Sequence, residues 1–356
     1  MAYSTISKPN LHFNTVLYTG NGANARGITG VGFKPDFVWN KGRDDTWQHI
    51  LTDIVRGATK NLYSDATNAE VTDSTRLQSF DSDGFTIGTN NQINENTDTY
   101  VAWNWLAGGS QGSSNTDGTI NSTYTSANTT AGFSIVKYNG SGTAGTVGHG
   151  LGAVPKMIMI KETSGNASGG NQAWSVYHVA NGNNYFLNLN TDGAKVDDID
   201  FNDTTPTSSV FSVGSQNRVN SGNGNGVYVA YCFAEKKGYS KINSFKGNGN
   251  NDGTFVYTGF KPAFLFIKIS SGSGQWTIFD NKRSSSGGGN EIDKILHPNV
   301  TNTENTADDV DFLSNGFKMR NTAANANGSG STYIYMAIAE EPLVANVGAS
   351  IPATAR

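Results

Sequence analysis

The chain has 356 residues, a formal net charge of −4, 15% charged side chains, 43 Gly, 8 Pro and a single Cys. The acidic balance excludes nucleic-acid binding driven by phosphate neutralisation. The lone Cys232 excludes an intrachain disulfide, and no apolar run of about 18 residues is present to cross a membrane as a helix. High Gly with only 36% apolar residues disfavours a helical bundle and favours short strands joined by Gly and Asn turns, where positive φ costs little.

The first residues, 1–12, carry no apolar signal segment and read as a short N-terminal arm of a protein folded in a reducing cytoplasm. A pattern then begins that recurs twice more. It opens on Tyr/Phe-x-Gly-Asn/Ser-Gly at Tyr18–Gly22, Tyr138–Gly142 and Phe245–Gly249. A Pro follows at a constant distance, Gly20 to Pro35, Gly140 to Pro155 and Gly247 to Pro262. Next comes an apolar run closed by Lys41, Lys161 or Lys268, and then a Trp, which matches Trp47 with Trp174 and Trp276. Phe85-Thr86-Ile87, Phe211-Ser212-Val213 and Phe317-Lys318-Met319 follow, and each copy closes on an aromatic strand starting at Tyr100, Tyr228 or Tyr333. Such order does not recur three times by chance.

The expected organisation is therefore an arm (1–12), three β-sandwich repeats (13–108, 131–238 and 239–344), a Gly/Ser/Thr/Asn linker or long loop at 109–130, and a C-terminal tail at 345–356. The fold class is all-β. The runs after each Pro read as buried strands and the closing segments as half-buried ones. Helical signal is confined to a turn or two over Thr52–Lys60.

Catalytic patterns are weak. The five His lack metal-ligand spacing, none recurs at one repeat position, and no nucleophile elbow is present. The repeated Asp-Asp-apolar-Asp-Phe strings offer Asp197, Asp198, Asp200, Asp308, Asp309 and Asp311 as calcium candidates, against an acidic turn capping a strand. Asp81–Gly84 is a turn lacking the rest of an EF-hand. Asp53-x-x-Arg56 and Asp280-x-x-Arg283 read as structural ion pairs, with Tyr177-His178 in their place in copy two. The matched Trp read as core, and otherwise as platforms for sugar rings.

The strings GFKPDFVWNKGR (32–43), DIVRGATKNLYS (53–64), SFDSDGFTIGTNN (79–91) and YVAWNWLAGG (100–109) resemble a repeat-bearing family of virion structural or tail-fibre-like proteins of marine tailed bacteriophages. Residues 238–268, 280–285 and 311–340 resemble the C-terminal part of that family, whereas copy two departs from it around residues 166–178. The resemblance implies lectin-like or jelly-roll-like β-sandwiches and supplies no catalytic residue. It implies a virion protein made in the host cytoplasm, a non-enzymatic fibre or appendage component contacting the host surface, with glycan as the expected ligand. The alternatives are a head or neck decoration protein without receptor role and, more remotely, a glycan-degrading enzyme. The implied partners are other tail, neck or capsid proteins, reached through the arm, with no nucleic acid, no membrane insertion and no cofactor. A homo-oligomer is expected, with a trimer usual for fibres, although no heptad or collagen-like repeat supports one. Contact residues are expected in the loops after Phe-x-apolar, at Asn90, Asn91, Asn217, Asn220, Asn325 and Asn327, which otherwise read as turn formers.

Overall fold

The computed structural model describes residues 4–165, 169–221, 225–285 and 289–342. Copy one contains β1 (Phe13–Thr19), β2 (Arg26–Thr29), β3 (Phe37–Gly42), β4 (Ile50–Asp53), β5 (Lys60–Tyr63), β6 (Val71–Thr72), β7 (Leu77–Asp81), β8 (Gly84–Ile87), the single-turn helix α1 (Asn91–Asn94) and β9 (Thr99–Trp105). Next come β10 (Ser122–Asn128) and, in copy two, β11 (Phe133–Asn139), β12 (Gly145–Gly148), β13 (Pro155–Ser164), β14 (Ser175–His178), β15 (Tyr185–Phe186), β16 (Val196–Asp197), β17 (Val210–Val213), α2 (Asn217–Asn220) and β18 (Val227–Ala234). Copy three has β19 (Ser240–Lys246), β20 (Phe255–Tyr257), β21 (Phe260–Ile269), β22 (Trp276–Asp280), β23 (Glu291–Ile295), β24 (Asn305–Leu313), β25 (Gly316–Met319) and β26 (Thr332–Pro342). The all-β expectation holds.

Each copy is a two-sheet sandwich. The inner sheets run β1-β9-β3-β4-β5-β6, β10-β11-β18-β13-β14 and β19-β26-β21-β22. The outer sheets are β2-β8-β7, β12-β17 and β20-β25-β24-β23. Every inner sheet packs its own outer sheet on one face, giving three separate cores around Phe85, Phe211 and Phe317. Its other face packs against the inner sheets of both other copies. There Phe37, Trp39, Trp103 and Trp105 meet Phe133, Met157, Met159 and Tyr231 and also Phe264, Phe266 and Met336 in one shared core. This explains why β3 is buried at every position, and why β9 and β18 are almost entirely so. Strands buried on both faces lose the polar–apolar alternation of a half-exposed sheet.

The copies close a ring rather than a row. The Glu70 amide of copy one donates to Thr163 O of copy two (3.0 Å), the Lys195 amide of copy two to Ser270 O of copy three (3.2 Å), and the Glu304 amide of copy three to Arg43 O of copy one (2.8 Å). Buried side chains repeat the circuit. Asp53 Oδ2 accepts from Arg56 Nε (2.5 Å) and from Tyr231 Oη of copy two (2.7 Å). Asp280 Oδ2 accepts from Arg283 Nε (2.5 Å) and from Trp103 Nε1 of copy one (2.9 Å). In copy two the same register position holds His178, whose Nε2 meets Tyr335 O of copy three at 3.2 Å. The expected Asp–Arg ion pairs therefore form, and they fasten neighbouring copies.

Four expectations are corrected. Residues 109–130 are not a plain linker: they carry β10, which pairs along β11 and extends the second inner sheet. Thr52–Lys60 is not helical, because Thr52 and Asp53 end a buried strand whose apolar residues fill two cores. The arm is not loose along its whole length: Ile6 is buried in the shared core, while Lys8, Asn10 and Leu11 are exposed. Trp47 is not the partner of Trp174 and Trp276. Strand register puts His49 there, and the His49, Trp174 and Trp276 amides donate alike to Asp65, Asn190 and Asn299 side chains, each at 3.0 Å. His49 stands as far from Lys41 as Trp276 does from Lys268, and Trp47, two residues earlier, is left half-buried in a loop. The tail at 345–356 lies outside the described residues.

Candidate functional site

Strand direction sorts the loops into two ends. β1, β11 and β19 start beside the ends of β9, β18 and β26 and run away from them. One end, here called proximal, therefore gathers Phe13, the connections leaving Trp105 and Ala234, and the end of the described chain at Pro342. The opposite, distal end gathers the Gly-Asn/Ser-Gly turns, the single-turn helices and the loops after the Lys. All six Asn singled out in the sequence lie there.

Each distal corner is built the same way. One buried carboxamide binds the turn. Asn94 Oδ1 accepts from the Asn21 amide (3.0 Å), and its Nδ2 donates to Ala23 O and Gly88 O (both 2.8 Å). Asn220 Oδ1 accepts from Ser141 N (2.6 Å), with Nδ2 on Thr143 O and Gly214 O (both 2.7 Å). Asn327 Oδ1 accepts from Asn248 N (3.1 Å), with Nδ2 on Asn250 O (2.9 Å) and Asn321 O (2.7 Å). All three are 0% exposed. The second residue of each closing strand, a Tyr, then clamps the single turn that carries the Asn. Tyr100 Oη donates to Asn91 O and accepts from the Glu95 amide; Tyr228 does so with Asn217 and Ser221, and Tyr333 with Ala324 and Gly328. The close approach requires the turn Gly: a Cβ on Gly20 would lie 1.9 Å from Glu95 O, and one on Gly247 would lie 2.4 Å from Gly328 O.

Asn220 and Asn327 are thus corrected from contact residues to saturated core residues, and Asn94, their partner in copy one, went unselected. Its signal was the recurring apolar-Asn pair ahead of the closing Tyr: Ile93-Asn94, Val219-Asn220 and Ala326-Asn327. Asn90 caps α1, accepting from the Gln92 amide at 3.0 Å. Half-buried Asn325 accepts from the Gln275 amide at 3.0 Å. Asn91 and Asn217 are exposed at equivalent positions of α1 and α2. Beside them in copy one lies an exposed Asp44-Asp45-Thr46 loop with half-buried Trp47, whose ring covers Gly42.

Behind this face lie three fully buried lysines. Lys41, Lys161 and Lys268 each donate to the next residue's carbonyl at 2.6 Å, and each has a second carbonyl, on Asp45 (2.9 Å), Gly170 (2.7 Å) and Asp192 (3.2 Å) respectively. Burial holds the amines down to about 8, 7 and 8. Each lysine thereby satisfies two carbonyls and acts as a staple, Lys41 and Lys161 within their own copies and Lys268 across to copy two.

The acidic candidates take up different conformations in the two copies that repeat them. Asp198 caps a 3-10 turn over Ile199–Phe201, and the Arg218 guanidinium binds both Asp198 and Asp200, the latter at 2.6 Å. Asp200 also accepts from Ser175 Oγ at 2.5 Å. In copy three the matching residues lie in β24, where Asp311 pairs with Arg320 (2.6 Å). The side chains of Asp308 and Asp309 lie outside those described, and Asp197 is exposed in β16. A guanidinium already fills the position a cation would need in copy two, which corrects the calcium reading for Asp198 and Asp200. Among the described residues, no three His, Cys, Asp or Glu side chains gather as a metal site.

A family model described as a domain of unknown function (DUF7483) matches residues 8–342, covering all three copies. A search of curated proteins returns no match.

Proposed function

Taking as premise that the chain belongs to the DUF7483 family, we propose that it is a non-enzymatic bacteriophage virion protein, a fibre or appendage component that contacts the host surface, with glycan as the ligand. The observation that carries this reading is polarity. The described ends of the chain and the connections between copies gather at the proximal end, while exposed amide and hydroxyl side chains gather at the distal end around three rigidly built corners. Such a body attaches by one end and offers the other. The residues assigned to contact are the accessible ones, Asn91 and Asn217 together with Asn90, Asn325 and Trp47. Carboxamides pair with sugar hydroxyls as both donor and acceptor, and a partly exposed indole offers a face to the apolar side of a sugar ring.

The test is adsorption of the purified full chain to host cells, with host polysaccharide as competitor. Saturable binding that the polysaccharide displaces supports the reading, and replacing Asn91, Asn217 and Trp47 together should abolish it without lowering the melting temperature. No adsorption would favour a head or neck role. Release of reducing sugar would favour an enzyme.

A further inference from the structure

Three seams separate the copies, and each is closed differently. Between copies one and two, the chain leaving β9 fills the seam. The Gly109 amide donates to Asp36 Oδ2 (2.7 Å), Gln111 Nε2 donates to Val55 O (2.9 Å), and β10 is laid along β11 with Tyr124 opposite Lys137 and Ser126 opposite Ile135. Between copies two and three, the 3-10 turn Val179–Asn181 packs on the outer edge of β19. The outward amides of that strand are occupied: Ile242 N donates to Glu235 Oε2 (3.3 Å) and Ser244 N to Asn243 Oδ1 (2.9 Å).

The seam between copies three and one has no added strand; the arm crosses it instead, its 3-10 turn Pro9–Leu11 lying against β26 and β1. Ala263 and Lys282 stand where Asp36 and Val55 stand in the first seam, and β1 stands where β11 does. Among the described residues, β1 ends its sheet with no strand on its outer side. In the register of β19, its outward amides are those of Thr15 and Leu17. Beside it lies a cleft of about 610 Å³ lined by Phe13, Asn14 and Thr15, by Ala263, Asn281 and Lys282, and by the arm residues 7–10 and the β26 residues 339–341. Two polar atoms here have no hydrogen-bond partner among the described residues: Thr15 Oγ1, on a residue 4% exposed, and Asn281 Oδ1. Where β9 releases its chain after Trp105, β26 stays paired to β21 through Glu341 and Pro342.

We propose that this cleft receives an extended polypeptide strand donated by a partner molecule, added antiparallel to β1 as β10 is added to β11. A bare edge offers a row of backbone groups to such a strand, and main-chain pairing supplies the affinity. The occupant is uncharged and rich in Ser and Thr, like the Ser-Thr-Tyr-Thr-Ser-Ala-Asn of β10, because Lys8 and Lys282 balance Glu340 and Glu341 in the lining. The inference is independent of what the distal face binds.

The probe is a synthetic peptide with the sequence of residues 118–130, added to the full chain while amide hydrogen exchange is followed. The Thr15 and Leu17 amides are expected to exchange faster than the paired Val16 and Tyr18 amides in the unliganded protein and to slow by about tenfold or more, saturably, with the peptide. Leu17→Pro removes an outward N–H, a change an edge strand tolerates, and is expected to abolish the protection at unchanged melting temperature. If that variant does not fold, Leu17→Lys, a charge that guards natural edges, is expected to weaken it at least about tenfold. Exchange unaffected by the peptide overturns the proposal. So does protection already present in the free chain, whether it persists on dilution, which assigns the edge to residues 343–356, or is lost on dilution, which assigns it to a second copy.

Discussion

One carboxamide organises each distal corner, and its removal strands several buried partners at once. Asn94→Ala, Asn220→Ala and Asn327→Ala are each expected to cost about 3 kcal/mol in denaturant unfolding, since every orphaned amide or carbonyl costs roughly 1–3 kcal/mol. Exposed Asn91→Ala should change stability by less than about 0.5 kcal/mol. The buried lysines give a pH signature. Their folded pKa values, about 7 to 8, lie below the unfolded value of 10.5. The folded chain therefore binds fewer protons than the unfolded one from about pH 7 to 10, so stability should rise with pH in that window. Below pH 7 the penalty is complete and this contribution is flat. Lys161→Met, followed by melting temperature between pH 7 and 9.5, should flatten the rise while lowering the melting temperature throughout, because two carbonyls lose their donor.

At the scale of strands and their fastenings, copies one and three use a buried Asp–Arg pair where copy two uses His178. The pairs exist only because a neighbour completes them, through Tyr231 Oη in one case and Trp103 Nε1 in the other. Arg56→Met leaves the Asp53 carboxylate buried and unneutralised, and a loss of about 3–5 kcal/mol is expected. The double change Asp53→Ala with Arg56→Met should recover much of that loss, since it removes the charge together with its partner. Chemical denaturation of the two variants side by side makes the comparison. His178 is held down to about 4 by burial, so it remains neutral through the physiological range and needs no Arg.

For the molecule as a whole, the shared core makes the copies interdependent. Each inner sheet buries one face against its own outer sheet and the other against foreign copies. A fragment of residues 131–238 would expose Phe133, Met157, Met159 and Tyr231, a face too apolar for water. It is expected to be aggregated or unfolded by circular dichroism and size-exclusion chromatography, while the full chain melts in one transition. The threefold ring is closed within one chain, so any homo-oligomer must use surfaces outside the shared core.

The repeat, the all-β class and the Asp–Arg pairing were legible in the chain itself, because turn Gly, apolar runs and local i,i+3 charge pairs are dictated by backbone sterics and short-range contact. The rest was settled by the packing of distant segments. Whether Asn220 meets solvent or a turn 79 residues away, whether His49 or Trp47 faces the axis, and whether residues 109–130 hang free or fill a seam all depend on which surfaces the three copies turn toward each other. Sequence periodicity cannot report that choice, since a strand buried on both faces looks the same whichever neighbours bury it.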